Sequence, residues 1–251
     1  MKISVITATY NSRDTVCHTF ASVLNQTYAD IEYLVIDGGS TDGTVTTIQE
    51  WTGRFGGRMH WISEPDQGLY DAMNKGIRLA TGDVIGLLNS DDYYTSPYIL
   101  ERVAEVLAEE TLDAVYGDIH FVHPERLDRC CRYYSSRLFR PSWMRLGFMP
   151  AHPSFYAKRA CYEQFGLYDT SYKIGADFEL LLRFIFKNGI RTRYLPMDFV
   201  TMRTGGVSTS GMRSRIRIMR EHLRAFHDNG IYTNIFLLSM RYVYKLTELR
   251  K

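Results

Sequence analysis

Through its first 118 residues the chain repeats one pattern: a short apolar run of strand length ends in Gly, Asp, Asn or Thr, and a stretch of helical period follows. The runs fall at 2–8, 31–36, 59–62, 84–88 and 112–116. Between them, Val16, Phe20, Val23 and Leu24 share one helical face, and residues 42–51 and 69–80 read as further helices. The next helix is predicted to start with Ser96 as its cap and Pro97 at its first position, burying Ile99, Leu100, Val103, Val106 and Leu107. Strands apolar on both faces and separated by helix-length segments make βαβ units. They constrain the chain to an α/β fold: a mostly parallel, doubly wound sheet with helices on both faces.

Beyond residue 118 the pattern changes. Residues 120–153 carry four prolines, several arginines and aromatics with no clear period, and predict mixed short strands and loops that shape an acceptor site. A helix is predicted over 176–187 and is ended by Asn188-Gly189; strand-like 191–195 and 199–202 follow. Residues 204–211 separate this body from two predicted helices, 212–227 and 231–249. Residues 213–251 hold nine Lys/Arg against three Asp/Glu, which leaves 21 basic and 25 acidic residues before them. A basic appendage on a mildly acidic body points to an anionic surface, membrane lipid or nucleic acid. Its Arg213, Arg217, Arg220 and Arg224 fit one face and Ile216, Met219, Leu223 and Phe226 another. That pattern suits an interfacial helix or a helix packed on the body or on a second copy. No run of 18 apolar residues occurs, residues 1–8 read as a strand and not a leader, and Cys17, Cys130, Cys131 and Cys161 lack metal-ligand spacing and read as free thiols.

Three strand ends deliver polar residues to one edge of the sheet: 7–11, 37–44 and 89–92. Ligands of open α/β sheets bind there, where helix N-termini also offer free N–H groups to phosphates. Neither a G-x-G-x-x-G after the first strand nor a P-loop occurs, so a dinucleotide fold and a P-loop enzyme are not supported. The adjacent carboxylates Asp91 and Asp92 allow two readings. They start a turn, or they hold a hard cation such as Mg2+ or Mn2+.

The ordered set Ser4-Val5-Ile6-Thr7-Ala8-Thr9-Tyr10-Asn11, the 37–44 segment, Asp71-Ala72-Met73-Asn74-Lys75-Gly76, Leu88-Asn89-Ser90-Asp91-Asp92, His152-Pro153 and Gly175-Ala176-Asp177-Phe178-Glu179 resembles the family 2 glycosyltransferases of GT-A fold, over roughly residues 1–210. The resemblance implies a donor site for a nucleotide-sugar, UDP-sugar favoured, in which Thr7, Thr9, Tyr10, Asn11 and Asp37 serve base and ribose. Lys75 adds charge near the donor, Asp91 faces the ribose, and Asp92, with His152 beside it, takes the divalent metal, Mn2+ or Mg2+. It implies Asp177 as the catalytic base, with Glu179 second in line; position alone would make Asp177 a helix cap. It implies an inverting transfer to a glycan hydroxyl, with a lipid-linked saccharide acceptor of a surface-polysaccharide or O-antigen pathway and peripheral contact with the inner membrane face from the cytoplasm. The domain reading is 1–210, split into donor and acceptor halves at 118, plus a helical appendage at 211–251, with no nucleic-acid partner. The rivals are a nucleotide-sugar-binding protein without turnover and a metal-dependent phosphohydrolase.

Overall fold

The computed structural model describes residues 1–205 and 211–248, the side chains of 211–213 and 242–248 excepted. The expected rhythm appears as β1 (Ile3–Thr9), α1 (Arg13–Leu24), β2 (Ile31–Asp37), α2 (Thr44–Thr52), β3 (Met59–Ser63), α3 (Leu69–Leu79) and β4 (Val84–Leu87). A short β5 (Tyr93–Tyr94), α4 (Ile99–Leu107), β6 (Ala114–His123), β7 (Arg126–Tyr134), β8 (Tyr156–Lys158), α5 (Arg159–Phe165) and α6 (Ala176–Leu181) follow. α6 runs on into a π-helical turn, Leu182–Lys187, before β9 (Thr192–Arg203), α7 (Gly211–Asp228) and α8 (Ile235–Glu248).

One sheet holds all nine strands of the described residues, in the order β3-β2-β1-β4-β8-β6-β9-β5, with β7 beside β6. β1 to β4, β6 and β9 run one way, and β5, β7 and β8 run against them. β1 pairs with β2 on one side and β4 on the other, so the loops after β1 and β4 part at the point where strand order reverses. That divergence opens the crevice of the fold. Alternate residues of β1 feed two cores. Ile3 and Val5 pack with Val16 and Phe20 of α1, Ile48 of α2 and Val103 of α4, whereas Ile6 and Ala8 pack with Met73 of α3, Tyr162 of α5 and Phe178 of α6. Gly76 lets α3 lie close on the sheet, since a Cβ there would sit 2.4 Å from a methyl of Ile6.

Three departures from the expected elements have physical causes. Of the stretch 120–153 expected to hold mixed short strands and loops, residues 135–153 are loop and short turns, but the part up to 134 is one long hairpin, β6 and β7. β7 hid because it pairs only with β6 and carries charges on an exposed edge, which removes the apolar alternation that marks a strand. The two strand-like segments 191–195 and 199–202 are one strand, β9; Pro196 falls where the β6 ladder shifts register between Tyr116 and Asp118, so its missing N–H costs nothing there. α4 starts at Ile99 and not at Pro97, because the Pro97 carbonyl is taken by the N–H of Thr27 at 2.9 Å and Ser96 Oγ accepts from Tyr98 N–H at 3.3 Å, closing a turn ahead of the helix. The C-terminal helices follow the reading of helices packed on the body: α7 and α8 put Ala225, Phe226 and Leu238 into the α6 core with no exposure. Of the apolar face expected on α7, Met219, Leu223 and Phe226 meet the body and Ile216 stays exposed. The side chain of Arg213, residue 249 and the Gly206 part of the 204–211 segment lie outside the described residues.

Candidate active site

The three polar strand ends are laced together. Gly38 N–H donates to the Thr9 carbonyl at 2.9 Å. Asn11 adopts φ +48, a left-handed conformation that Asn tolerates, and so gives its N–H to Ser40 Oγ at 2.8 Å while its Oδ1 accepts from Thr41 N–H at 2.9 Å. The Ser12 and Ser90 hydroxyls meet at 2.8 Å, joining the loop after β1 to the loop of the acidic pair. Asp37, wholly buried, accepts from Gly39 N–H, Ser40 N–H, Ser40 Oγ and Ser63 Oγ. Its carboxylate therefore shapes the 38–41 turn from below. Thr7 stands behind this wall: it is buried, and its Oγ1 is held by the Tyr33 hydroxyl at 2.9 Å and the Leu88 carbonyl at 2.7 Å. Thr9 Oγ1 is buried without a protein partner, and Tyr10 is 62% exposed with its ring against Gly38. Lys75 Nζ reaches Glu64 Oε1 at 2.8 Å and the Pro65 carbonyl at 2.9 Å, fixing the loop whose Asp66 abuts Gly38. That places Lys75 at the rim, acting through the loop.

At the end of β4, Asp92 is 1% exposed and Asp91 is the more open of the two. Asp92 Oδ2 accepts from Asn89 Nδ2 at 3.3 Å, whereas Asp92 Oδ1 and Asn89 Oδ1 are buried with no partner. Buried acceptors are ordinarily satisfied, so two orphaned oxygens in one loop mark a place where a positive group fits. Burial, then the negative charge of Asp91, push the Asp92 carboxyl well above its usual range, and burial raises Asp91 as well. Arg203 Nη1 donates to the Asp91 carbonyl at 2.8 Å and its guanidinium lies over the Tyr93 ring. Among the described residues no group of three His, Cys, Asp or Glu side chains could enclose a metal. Two carboxylates and an amide oxygen are a hard, incomplete donor set, suited to a cation that keeps phosphate or water ligands.

A cleft of about 280 Å³ opens between the β6–β7 hairpin, the 147–153 segment and the start of α6. Its wall includes Ile119 and Phe121 of β6, Arg132 and Tyr134 of β7, Phe148 to Pro153, Met202 of β9, Asp177 and Arg241. Met202 and Arg203 are neighbours on β9, so one strand end lines the cleft and grips the acidic loop. Asp177 sits in the first turn of α6, its Oδ1 accepting Phe178 N–H at 2.8 Å. Burial raises its carboxyl from 3.8 to about 6. His152 Nε2 meets the Tyr168 hydroxyl at 2.7 Å, and burial holds its imidazole down to about 4, so it is neutral at pH 7. Glu179 is not in the cleft: 6% exposed, it takes both its oxygens to Arg183 at 2.9 Å and one to Asn229 at 3.0 Å. Its spacing from Asp177 turns it toward α7.

Sequence reasoning missed Tyr168, Arg241 and Glu221, which meet the site from the 166–175 loop and the last two helices. Glu221 has a faint signal as the one acid before Asp228 in a helix rich in arginine.

Residues 4–149 match the model of the family described as "Glycosyl transferase family 2". A PGL/p-HBAD biosynthesis glycosyltransferase of Mycobacterium bovis is 30% identical over 193 residues, 76% of this chain and 73% of that protein. An uncharacterized glycosyltransferase of Mycobacterium tuberculosis is 34% identical over 187 residues, 72% of this chain and 68% of that one. Among solved structures, S. aureus TarS 1-349 in complex with UDP-GlcNAc superposes with a TM-score of 0.69 at 17% identity, over 90% of this chain and 66% of that one. The mannosyltransferase PcManGT from Pyrobaculum calidifontis, in complex with GDP-Man and Mn2+, gives 0.67 at 20% identity, over 90% of this chain and 63% of that one. The chain thus spans about two thirds or less of these solved chains.

Proposed function

Because the chain belongs to glycosyl transferase family 2 and has the GT-A fold, we propose that it transfers a hexosyl group from a nucleotide-sugar, a UDP-sugar first, to a glycan hydroxyl with inversion at the anomeric carbon. The observation that supports the reading is the junction at the end of β9, where Met202 shares a cleft with Asp177 and Arg203 holds the loop of Asp91 and Asp92. In a single displacement the acceptor oxygen attacks the anomeric carbon as the bond to the diphosphate breaks, and the hydroxyl proton must go to a base. Asp177, with a carboxyl near 6, is ionised at pH 7 yet basic enough to take it. Asp92, with Asn89 beside it, would hold a divalent metal, which when bound neutralises charge on the leaving diphosphate, and Asp91 faces the ribose. Tyr10, Asn11 and the turn organised by Asp37 form the base and ribose wall, Lys75 fixes its rim, and neutral His152, which the family resemblance sets beside the metal, shares the cleft of Asp177 with its Nε2 on Tyr168.

The acceptor we propose is lipid-linked, in surface-polysaccharide or O-antigen assembly at the cytoplasmic face of the membrane. No described helix is long and apolar enough to cross a membrane. Exposed Tyr232, Ile235, Phe236 and Met240 at the start of α8 supply an apolar surface for peripheral contact. The test is a panel of UDP-, GDP- and dTDP-sugars with and without Mn2+, following nucleoside diphosphate release with and without acceptor glycans. Acceptor-dependent release supports transfer; nucleoside monophosphate and sugar phosphate formed without acceptor, in place of nucleoside diphosphate, make the protein a phosphohydrolase, and binding without release a nucleotide-sugar-binding protein.

A further inference from the structure

α7 lies directly on the turn that carries Asp177. The Glu221 carboxylate accepts three consecutive backbone N–H groups, from Lys173 at 3.2 Å, Ile174 at 2.9 Å and Gly175 at 2.7 Å, and Gly175 is the residue from which α6 begins. The approach is close enough that a Cβ on Gly175 would stand 3.2 Å from Glu221 Cβ. From the other side Tyr70 of α3 donates its hydroxyl to the Ile174 carbonyl. The next residue of α7, His222, stacks on Phe178 with ring centroids 3.8 Å apart and 11° between planes, and its Nδ1 meets Arg241 of α8 at 2.8 Å. Arg241 in turn lines the cleft with Asp177.

We propose that Glu221 is a positioning residue for Asp177, clamping the 173–175 turn so that the base points into the cleft, and that α7 and α8 are thereby part of the catalytic unit. The inference rests on the reading of Asp177 as base. Three charge-assisted bonds from one side chain fix the turn's backbone, and the stacked pair His222 and Phe178 fixes the helix one residue past Asp177. Among the described residues, Tyr70, Tyr168 and Glu221 act electrostatically on Asp177 or feel its charge, and His152, Arg132 and Arg241 share its cleft. Glu221 is the negative charge among them, and it adds to burial in keeping Asp177 protonated to higher pH.

Full-length Glu221→Ala, Glu221→Gln and Asp177→Asn separate the possibilities, assayed for kcat, donor KM and pH profile with the nucleotide-sugar that turns over, UDP-GlcNAc being tried first. Glu221→Ala should lose about tenfold or more in kcat, as small misplacements of a reacting group do, with donor KM within about twofold. Glu221→Gln keeps an accepting oxygen for the turn and should recover most of kcat while its acid limb moves to lower pH. With Asp177→Asn inactive, wild-type kcat in Glu221→Ala overturns the proposal. So does an unmoved acid limb in Glu221→Gln, or loss of donor binding and of the folded state in both Glu221 variants. Wild-type turnover in Asp177→Asn overturns the base reading itself and this inference with it.

Discussion

Replacing Asp177 with Asn should make the protein more stable while it stops turnover. A carboxyl raised from 3.8 to about 6 means that folding opposes its ionisation. The raised value makes the native state bind the proton more tightly than the unfolded chain does. Stability is therefore greatest below about pH 4 and falls as pH rises from about 3.8 to 6, with the full cost present at neutrality. At about 1.4 kcal/mol per pH unit the gap is worth about 3 kcal/mol, and contact with cleft water reduces this to about 1–2 kcal/mol. Asn is neutral, keeps an oxygen for the Phe178 N–H and escapes that cost. For a chain of this size the gain corresponds to a Tm higher by about 2–8 °C. Thermal unfolding of wild type and Asp177→Asn, in parallel at pH 7.5 and pH 4.5, reads it directly: the gain at pH 7.5 should shrink to about a third at pH 4.5, where wild-type Asp177 is protonated. A variant no more stable at pH 7.5, or a gain that does not change with pH, would refute the argument that the carboxylate is held desolvated.

The same value predicts an acid limb in kcat/KM centred near pH 6, with the rate at pH 5 about one tenth of that at pH 7; a limb centred near 4 would remove Asp177 as base. Asp92→Asn should raise stability without metal, by relieving a buried carboxylate, and abolish the Mn2+-dependent thermal stabilisation by a bound nucleotide-sugar, which at a hundredfold over Kd amounts to about 2.7 kcal/mol. Survival of that stabilisation would assign the cation to Asp91 alone. At the other end of the strands, burial would raise Glu32, but hydrogen bonds from Ser4, Thr81 and Lys2 outweigh it and hold the carboxyl at about 2. Its stabilisation is present above about pH 4.5 and lost as pH falls through about 2, so Glu32→Gln should cost about 2–3 kcal/mol in urea unfolding at pH 7 and progressively less below pH 4.

The donor half was legible because β1, β2 and β4 are buried on both faces and, with the edge strand β3, end in polar clusters, so period and punctuation agree. The site was legible to the extent that it follows strand ends, as Tyr10, Asn11, Asp91 and Asp92 do. What stayed hidden depends on partners distant in sequence. Thr7 reads as a pocket residue until Tyr33 and Leu88 are seen to claim its hydroxyl. Glu179 reads as a spare base until Arg183 and Asn229 tie it down. β7 could not be recognised from its own residues because an edge strand need not alternate. The roles of Glu221 and Arg241 arise only from the docking of α7 and α8, whose apolar stripe suits a membrane as well as it suits a protein core.

The grip of α7 on the 173–175 turn also gives the chain a history. Synthesis proceeds from the N-terminus, and domains form as their segments emerge. β1 to β4 and the loops laced through Asn11, Ser12, Ser40 and Ser90 lie within residues 3–92, and β4 gains its second neighbour when β8 emerges. Three N–H groups of the turn before Asp177 lack the carboxylate that accepts them until residue 221 has been made. A nascent chain can thus hold the framework of its donor crevice well before its acidic turn is pinned, and a chain cut short before α7 would bind more readily than it reacts.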